Sequence, residues 1–268
     1  MNSSARIIFE KEVRYVKKKI CLMLVTVLLS LSFMPTVLAA EKVPVLLYHN
    51  IMEGFKNEDK LLHISPKNFK IHMQAILGAG YTPITYAEFS EASKNGTQLP
   101  QNPIIITFDD GYQSNYEYAY PVLKEMGIKA TIFVITSRMG DYTVAYPHFT
   151  WETAIEMENS GIIDIQSHSH THPDFSTIEE DQTIYEARMA KYLIETNMNK
   201  ECTNFAYPYG QVNGISNGVM LRTGYNIVNL VGDKGANNPS DGLVNLKRLT
   251  VAGDMTGEEL LQYIAKNK

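Results

Sequence analysis

The fold is decided by the stretch Ile104–Gly111, whose sequence is IIITFDDG. Its first five residues are apolar or β-branched, a composition that predicts a buried β-strand. Asp109 and Asp110 follow where that strand should end, and Gly111 allows a sharp turn. Burial of two adjacent like charges is costly unless a cation or a proton compensates them. The stretch therefore indicates a strand that ends in a functional site rather than in a plain turn.

A second apolar segment, Ile162–Ile165, leads into a histidine-rich run that contains His168 and His172. Their spacing would bring the two imidazoles to one side of a helical turn that ends at Pro173. Two neutral histidines and one carboxylate are a typical ligand set for catalytic zinc, which keeps a position open for water. The same donors suit cobalt or nickel. For this motif taken alone, a solvated histidine cluster is the alternative.

The two adjacent carboxylates can take different roles in such a site, because neighbours at a strand end point in different directions. One can ligate the metal, which lowers the pKa of a bound water from ~15.7 towards ~7. The other can then accept a proton from that water as a general base. The residue pattern therefore predicts hydrolytic chemistry at a divalent metal.

Residues 1–39 have the layout of a secretory signal peptide. Lys17–Lys19 precede an apolar run over Ile20–Met34, and Val37–Ala40 offers small residues for cleavage. An uncleaved membrane anchor is the alternative, although the run is short for a membrane span. We therefore expect a secreted or envelope-associated protein, whose mature domain, residues 40–268, would meet a membrane only through an uncleaved N-terminal segment.

Composition and charge narrow the class of partner. The 268 residues are 44% hydrophobic and 20% charged, which is ordinary for a globular protein with a sizeable core. Cleavage after Ala39 would leave 18 Lys/Arg against 27 Asp/Glu, a net charge of −9. That charge argues against nucleic acid and anionic lipid as partners and is compatible with a neutral or cationic glycan. We expect a monomer.

Apolar strands alternate with amphipathic helices after residue 40, which predicts an α/β fold with a parallel sheet. The chain length suits a distorted (β/α) barrel of about seven strands, with functional residues at the carboxyl ends of the strands. A helix is expected over Ser114–Met126, kinked or started late by Pro121. Capping boxes are expected at Ser176 with Glu179 and at Thr256 with Glu259. The expected strands are Val43–Tyr48, Ile104–Phe108, Thr131–Ile135, Ile162–Gln166, Thr203–Ala206, Tyr225–Val228 and Leu246–Val251.

Three motifs, Thr107–Gly111, His168–His172 and Phe205–Gly210, resemble those of the polysaccharide deacetylase (NodB-homology) family, carbohydrate esterase family 4. The resemblance covers roughly residues 43–251. It implies a distorted barrel and metal-dependent removal of acetyl groups from N-acetylated sugars. It also implies site roles: the catalytic base is Asp109, the oxyanion donor is the backbone N–H of Tyr209, and the metal ligands are Asp110, His168 and His172.

The chain departs from the family pattern in two places. The family's third motif usually opens with an arginine that pairs with the base, and this chain has Ala206 there. The usual C-terminal histidine that serves as general acid is also absent, since no histidine follows His172. In a branch that resembles poly-N-acetylglucosamine deacetylases, the acid lies on the first strand in a Leu-x-Tyr-His pattern. Leu46–His49 matches it, so His49 is the expected acid, and a histidine that only caps the strand is the alternative.

Two placements are open for Arg248 on the last expected strand: inward, where it would pair with Asp109 in place of the missing arginine, or at the surface. Tyr207 and Pro208 are expected to line the sugar-binding groove. Together with the signal peptide, the family resemblance implies an exported N-deacetylase that acts on a polysaccharide containing N-acetylglucosamine. An O-acetyl esterase and a degenerate glycan-binding protein, the latter motivated by Ala206, are the alternatives.

Overall fold

The structure, a computed structural model, describes residues 13–19, 42–232 and 236–268. The chain divides into two units, Met1–Ala39 and Ala40–Lys268. In the first unit, residues 13–19 are helical. The apolar run and the expected cleavage site lie outside the described residues, so the signal peptide stays a prediction. Among the helices of the described part, none is both long and apolar enough to span a bilayer.

The second unit is built on a parallel sheet that, within the described residues, has nine strands in the order β10-β9-β8-β7-β6-β5-β1-β11, with β4 beside β5. A separate pair, β2 and β3, is also parallel. The strand bounds are β1 Val45–Tyr48, β2 Asn50–Ile51, β3 His63–Ile64, β4 Thr82–Pro83, β5 Pro103–Phe108, β6 Ala130–Val134, β7 Ile163–Ser167, β8 Asn204–Ala206, β9 Ile227–Asn229, β10 Val244–Leu246 and β11 Leu249–Thr250.

The sheet curls into a barrel whose seam lies between β10 and β11. These strands stand at opposite ends of the sheet, yet only Lys247 and Arg248 separate them in the chain. The predicted (β/α) barrel is therefore confirmed, and the first strand, β1, pairs with the last, β11. The prediction of one continuous strand over Leu246–Val251 was wrong, because the chain changes pairing partner from β9 to β1 at the seam. This split and the short β4 raise the strand count from about seven to nine.

Side chains alternate between the inside and the outside of the barrel, as strand geometry requires. Val45, Ile105 and Phe133 point inward and form an apolar cluster, and Tyr86 and Phe89 of a short helix join it from the amino-terminal end. The outward side chains of the same strands form the larger cluster that packs against the surrounding helices. The apolar filling thus occupies the amino-terminal half of the barrel and leaves the carboxyl end for polar groups.

Seven α-helices follow the strands in the second unit's described part, with bounds α1 Pro66–Gly78, α2 Tyr86–Asn95, α3 Tyr120–Met126, α4 Trp151–Asn159, α5 Glu180–Met198, α6 Ser216–Arg222 and α7 Gly257–Asn267. The helix expected over Ser114–Met126 is interrupted ahead of Pro121: a π-helical turn over Asn115–Ala119 precedes α3. The capping box at Thr256 is confirmed. The box at Ser176 was wrong, because that side chain bonds Asp174 and α5 begins only after Glu179.

The expected site residues follow directly after strands on one rim. β1 ends before His49, β5 before Asp109, β7 before His168, and β8 two residues before Pro208. Because all these strands are parallel, their carboxyl ends meet at the same end of the barrel. The fold therefore gathers motifs that lie far apart in the sequence.

Candidate active site

The two adjacent carboxylates diverge because the backbone turns between them. The Asp109 N–H still donates to the Tyr48 carbonyl at 3.0 Å and continues the ladder of the sheet. Asp110 then takes a left-handed conformation with φ 74°, and Gly111 follows with φ 77°. A Cβ on Gly111 would lie 3.0 Å from Val134 Cγ1, so this tight turn needs glycine. Both carboxylates are buried, in different orientations.

The histidine run is a loop and not the expected helical turn. Ser169 and His172 have positive φ values of 70° and 65°, which break helical geometry. The rings of His168 and His172 nevertheless come together, with centroids 4.9 Å apart. A hydrogen bond from the His172 N–H to Ser169 Oγ fixes the loop at 2.9 Å.

A buried glutamate that lies outside the predicted site motifs holds the same loop from behind. Glu186 of α5 accepts hydrogen bonds from the backbone N–H groups of His170 at 2.9 Å and Thr171 at 2.7 Å. It also accepts from the Thr171 hydroxyl. The available signal was an acidic residue next to Ala187, on the apolar face of an amphipathic helix, where a carboxylate is retained only with partners.

Asp110, His168 and His172 converge on one point, with one donor atom from each residue lying within 4.8 Å of the others. Asp110 Oδ1 is 3.5 Å from His168 Nε2 and 3.5 Å from His172 Nε2. Donors at about 2.0–2.1 Å from a tetrahedral ion are separated by roughly 3.4 Å. The three atoms therefore have the spacing of ligands around one cation.

The state of the side chains also fits a cation. Asp110 Oδ1 is buried and has no hydrogen-bond partner in the described part of the chain. The His168 Nδ1–H donates to the Ala206 carbonyl at 2.7 Å, which leaves Nε2 with its lone pair towards Asp110. Burial and the neighbouring His168 lower the pKa of His172 to about 4, so this imidazole is neutral at physiological pH. Neutral imidazoles and a carboxylate are the donor set of catalytic zinc.

Arg248 points inward and pairs with Asp109. Its Nη1 donates to Asp109 Oδ1 at 2.6 Å and its Nη2 to Oδ2 at 2.7 Å, a bidentate geometry. The guanidinium is fully buried, donates from Nε to the Leu230 carbonyl at 3.1 Å and lies over the Phe133 ring. Burial alone would raise the pKa of Asp109, but the Arg248 charge outweighs it and holds that pKa below the usual range. Asp109 is therefore ionised and firmly oriented.

His49 follows β1 on the same rim, and its carbonyl accepts a hydrogen bond from Asn115 Nδ2 at 2.7 Å. Burial lowers its pKa, while the charges of Asp110 and Asp109 oppose the shift. Its Nδ1 is buried without a hydrogen-bond partner among the described residues. The ring is thus neutral and close to both carboxylates.

Tyr209 lies in a short 3-10 turn, Pro208–Gly210, in a left-handed conformation with φ 60°. Its exposed ring meets the His172 ring at 4.7 Å. Its backbone N–H forms no hydrogen bond with the described residues, so this donor is available. A Cβ on Gly210 would lie 2.6 Å from the Val231 nitrogen, so glycine lets the turn pack at this position.

The expectation that Tyr207 and Pro208 line the groove needs correction, because both are buried. The Tyr207 ring packs against Phe175 and Phe205, and its hydroxyl donates to Asn217. Alternation along the strand explains this placement: Ala206 faces the barrel, so its neighbour faces the helices.

An open groove of about 410 Å³ runs beside the three converging residues. Three tyrosines line it: Tyr112, Tyr146 and Tyr209. Burial and the neighbouring Asp110 raise the pKa of Tyr112, so its hydroxyl stays protonated. His148 stacks on the Tyr112 ring and bonds the Asp110 carbonyl through Nδ1 at 3.0 Å, which supports the turn from outside.

Left-handed backbone is concentrated at this rim. Asp110, Ser169, His172 and Tyr209 all have positive φ, although none is glycine. Such conformations cost about 1–3 kcal/mol each and persist only where surrounding contacts impose them. Their clustering beside convergent polar groups points to a site shaped for function.

Comparisons with known proteins find relatives of the whole domain. The family model described as polysaccharide deacetylase matches residues 96–228. The YxkH protein of Bacillus subtilis (strain 168), named as a candidate polysaccharide deacetylase, is 33% identical over 85% of this chain and 77% of its own length. The poly-β-1,6-N-acetyl-D-glucosamine N-deacetylase of Escherichia coli (strain K12) is 24% identical over 81% of this chain, which spans only 38% of that protein.

Two solved structures are similar. The Streptococcus pyogenes deacetylase PplD, in complex with acetate, is 28% identical with a TM-score of 0.75 and covers 84% of this chain and 99% of its own. A polysaccharide deacetylase from Bacillus cereus is 28% identical with a TM-score of 0.71 and covers 84% of this chain and 69% of its own.

Proposed function

Because the chain belongs to the polysaccharide deacetylase family, we propose that it is an exported, metal-dependent enzyme that hydrolyses N-acetyl groups of a polysaccharide containing N-acetylglucosamine. The observation that carries the proposal is the convergence of Asp110, His168 and His172 beside an ionised Asp109. The E. coli relative is named for the same chemistry on poly-β-1,6-N-acetyl-D-glucosamine. The S. pyogenes neighbour was solved with acetate, the product of such a reaction.

The residues present fit a divalent cation. Asp110 would hold it through its unpartnered Oδ1, and the two histidines through their Nε2 atoms. Such a cation supplies Lewis-acid polarisation of the acetyl carbonyl and makes a water more acidic. The donor set favours zinc and also accommodates cobalt or nickel.

The chain's own side chains divide the remaining work. Asp109 takes a proton from the attacking water, whose oxygen bonds to the acetyl carbon. The Tyr209 N–H donates to the oxygen that gains negative charge. His49 passes this proton from Asp109 to the amide nitrogen as the C–N bond breaks, so Asp109 is ionised again and acetate and a free amine leave.

Arg248 is a positioning residue in this scheme. Its two N–H···O bonds fix both oxygens of Asp109, so the carboxylate can accept a proton without rotating. The same charge keeps Asp109 ionised at all physiological pH values. Arg248 thus replaces, from the barrel seam, the arginine expected at position 206. The glycan-binding alternative rested on Ala206 alone, so it loses its motivation.

The direct test is acetate release from β-1,6-linked and β-1,4-linked N-acetylglucosamine oligomers and from peptidoglycan. We expect release from at least one of them, loss of release with a chelator, and recovery after zinc, cobalt or nickel is added. No release from any N-acetylated substrate by metal-loaded protein would contradict the proposal.

An O-acetyl esterase is the second candidate, and His49 favours keeping it. Burial lowers the pKa of this imidazole, so only a small fraction of it is protonated at neutral pH. An ester leaving group needs less protonation than an amine. A His49→Gln variant separates the two activities. An N-deacetylase loses turnover, whereas an esterase retains most of its rate on an O-acetylated glycan.

Export and localisation belong to the same proposal. The expected signal peptide over residues 1–39 and the polymeric substrate for which the E. coli relative is named support a secreted or envelope-associated enzyme. That the enzyme is a monomer stays an expectation. A fusion of residues 1–39 to a reporter, with the N-terminus of the exported product sequenced, would distinguish cleavage after Ala39 from an uncleaved anchor.

A further inference from the structure

The outer face of α5 carries a shallow depression of about 390 Å³, whose lining residues differ from those of the active-site groove. The side chains that line it are spaced one and two helical turns apart: Asp181, Ile184, Tyr185, Arg188, Met189 and Tyr192. We call it the α5 tyrosine surface. It is open to solvent, and neither the catalytic nor the metal-binding roles described above use it.

Two exposed rings dominate this surface. Tyr185 is 50% and Tyr192 61% exposed, although large aromatic side chains are usually buried. They are seven positions apart in the helix, which places them on one helix face roughly 10 Å apart. Arg188 lies between them, and the ion pairs that α5 forms with the described residues use other side chains. The surface therefore presents two aromatic rings and a guanidinium in a row.

The α5 tyrosine surface adjoins the loop that borders the active-site groove. The Tyr185 ring contacts the His170 ring, with centroids 5.8 Å apart. The next residue on the helix, Glu186, holds the backbone of Thr171, and Thr171 also lines the groove. The loop that carries the two histidine ligands thus lies between the two surfaces, and a polysaccharide bound in the groove would reach α5 by crossing it.

The chemistry of the surface suits a neutral glycan. Tyrosine rings offer flat apolar faces with a polar tip, which match the C–H faces and hydroxyl groups of a sugar ring. Arg188 can donate to hydroxyl or acetyl oxygens, and Asp181 balances its charge, which suits an uncharged N-acetylated polymer. A stable protein partner would use about 20–30 residues a side, far more than this depression offers.

We propose that the α5 tyrosine surface is a second binding site for the polysaccharide substrate. It holds the part of the polysaccharide that extends beyond the sugar unit in the active-site groove. The inference rests on the proposed deacetylase function and deepens it. When one polysaccharide molecule occupies both the α5 tyrosine surface and the active-site groove, its effective concentration at the groove rises. The site therefore contributes to the KM of long substrates and not to the chemical step.

The test compares the variant Tyr185→Ala/Tyr192→Ala with wild type on a long poly-N-acetylglucosamine and on its trimer. We expect KM for the polymer to rise roughly tenfold, since two ring contacts are lost, with kcat and both trimer constants unchanged. Tyr118→Ala is the matched control, because Tyr118 is similarly exposed on another element. An unchanged KM for the polymer, or equal losses on polymer and trimer, would overturn the inference.

A binding assay separates this inference from the proposed function. Electrophoresis through a gel that contains the polymer needs no catalysis. We expect wild type and Tyr118→Ala to be retarded and the double variant to run freely, with its fold checked by thermal unfolding. Equal retardation of all three proteins, or of none, would reject the second site even if acetate release is established. A lack of acetate release from metal-loaded wild type with this binding difference intact would reject the deacetylase function and keep the site.

Discussion

Each end of the barrel holds a cationic side chain paired with carboxylates. The cation at the carboxyl end, Arg248, is fully buried, and the cation at the amino end, Lys200, is largely buried. At the amino end, Lys200 Nζ lies 2.8 Å and 2.9 Å from the two Glu158 oxygens and also contacts Asp164. Gln166 donates to both oxygens of Asp164, and the Ile165 N–H donates to Glu158. The amino-end carboxylates are therefore fully engaged by the protein itself.

The carboxyl end uses the same kinds of group differently. Arg248 engages both oxygens of Asp109, but the adjacent Asp110 leaves Oδ1 buried, unpartnered among the described residues and turned towards two imidazole nitrogens. Since buried polar atoms are normally satisfied, an unsatisfied one among convergent donors marks a place for a ligand. The contrast teaches that saturated pairing indicates structure, whereas an open, convergent donor set indicates function.

The largest effect should come from Asp109→Asn. Loss of the general base should lower kcat by about 10²–10⁴-fold, while the protein keeps its zinc because Asp110 and both histidines remain. Asp164→Asn, at the opposite end of the barrel, is the matched control and should keep its turnover. Acetate release and zinc content are the measurements, and a near-normal kcat in the Asp109→Asn variant would remove Asp109 from the mechanism.

Arg248→Met should have the next largest effect, on both stability and pH dependence. It leaves a buried carboxylate without its partner, which should cost about 3–5 kcal/mol in urea unfolding. Without the guanidinium, burial raises the pKa of Asp109, so the acid limb of kcat/KM should move to higher pH. The double variant Asp109→Asn/Arg248→Met should recover part of the stability without recovering activity. An unmoved acid limb in Arg248→Met would contradict the pairing role.

Lys200→Met should destabilise the fold without touching the chemistry. Loss of the ion pairs with Glu158 and Asp164, which are partly exposed, should lower the free energy of unfolding by about 2 kcal/mol. The kcat of the folded variant should be unchanged. Burial would lower the pKa of Lys200, but the two carboxylates raise it above its usual value. Its contribution to wild-type stability is therefore complete below the unfolded pKa of ~10.4 and is lost as pH rises through the folded pKa. The difference in unfolding free energy between wild type and Lys200→Met, measured in urea, should be smaller at about pH 11 than at about pH 8. An equal difference at the two pH values would contradict this pH dependence.

Lys70→Met should have the smallest effect. Lys70 pairs with Glu125 at 3.1 Å, and both side chains are more than one-third exposed. Exposed pairs contribute about 0–1 kcal/mol. The measurement is the free energy of unfolding in urea. A loss as large as that of Lys200→Met would mean that burial does not determine how much these ion pairs stabilise the protein.

Sequence patterns predicted the parts of the molecule that local chemistry dictates. The apolar run before Asp109 and the Thr256 cap were visible in the pattern, because each depends on neighbouring residues. The barrel seam was not visible in the pattern, because the change of pairing partner from β9 to β1 is imposed by closure of the barrel and not by neighbouring residues. The loop at His168 was misread as helical, because a distant glutamate, Glu186, shapes it. Tyr207 was misplaced because exposure was inferred from residue type instead of strand alternation.

The most direct test of the account is acetate release measured against zinc bound per chain, in protein first stripped with a chelator. We predict that activity rises in proportion to bound zinc and saturates at one ion per chain in wild type. His168→Ala should bind zinc far more weakly and stay inactive at the same total zinc. Full activity in the stripped protein, or equal zinc binding by His168→Ala, would contradict the claim that Asp110, His168 and His172 hold a catalytic cation.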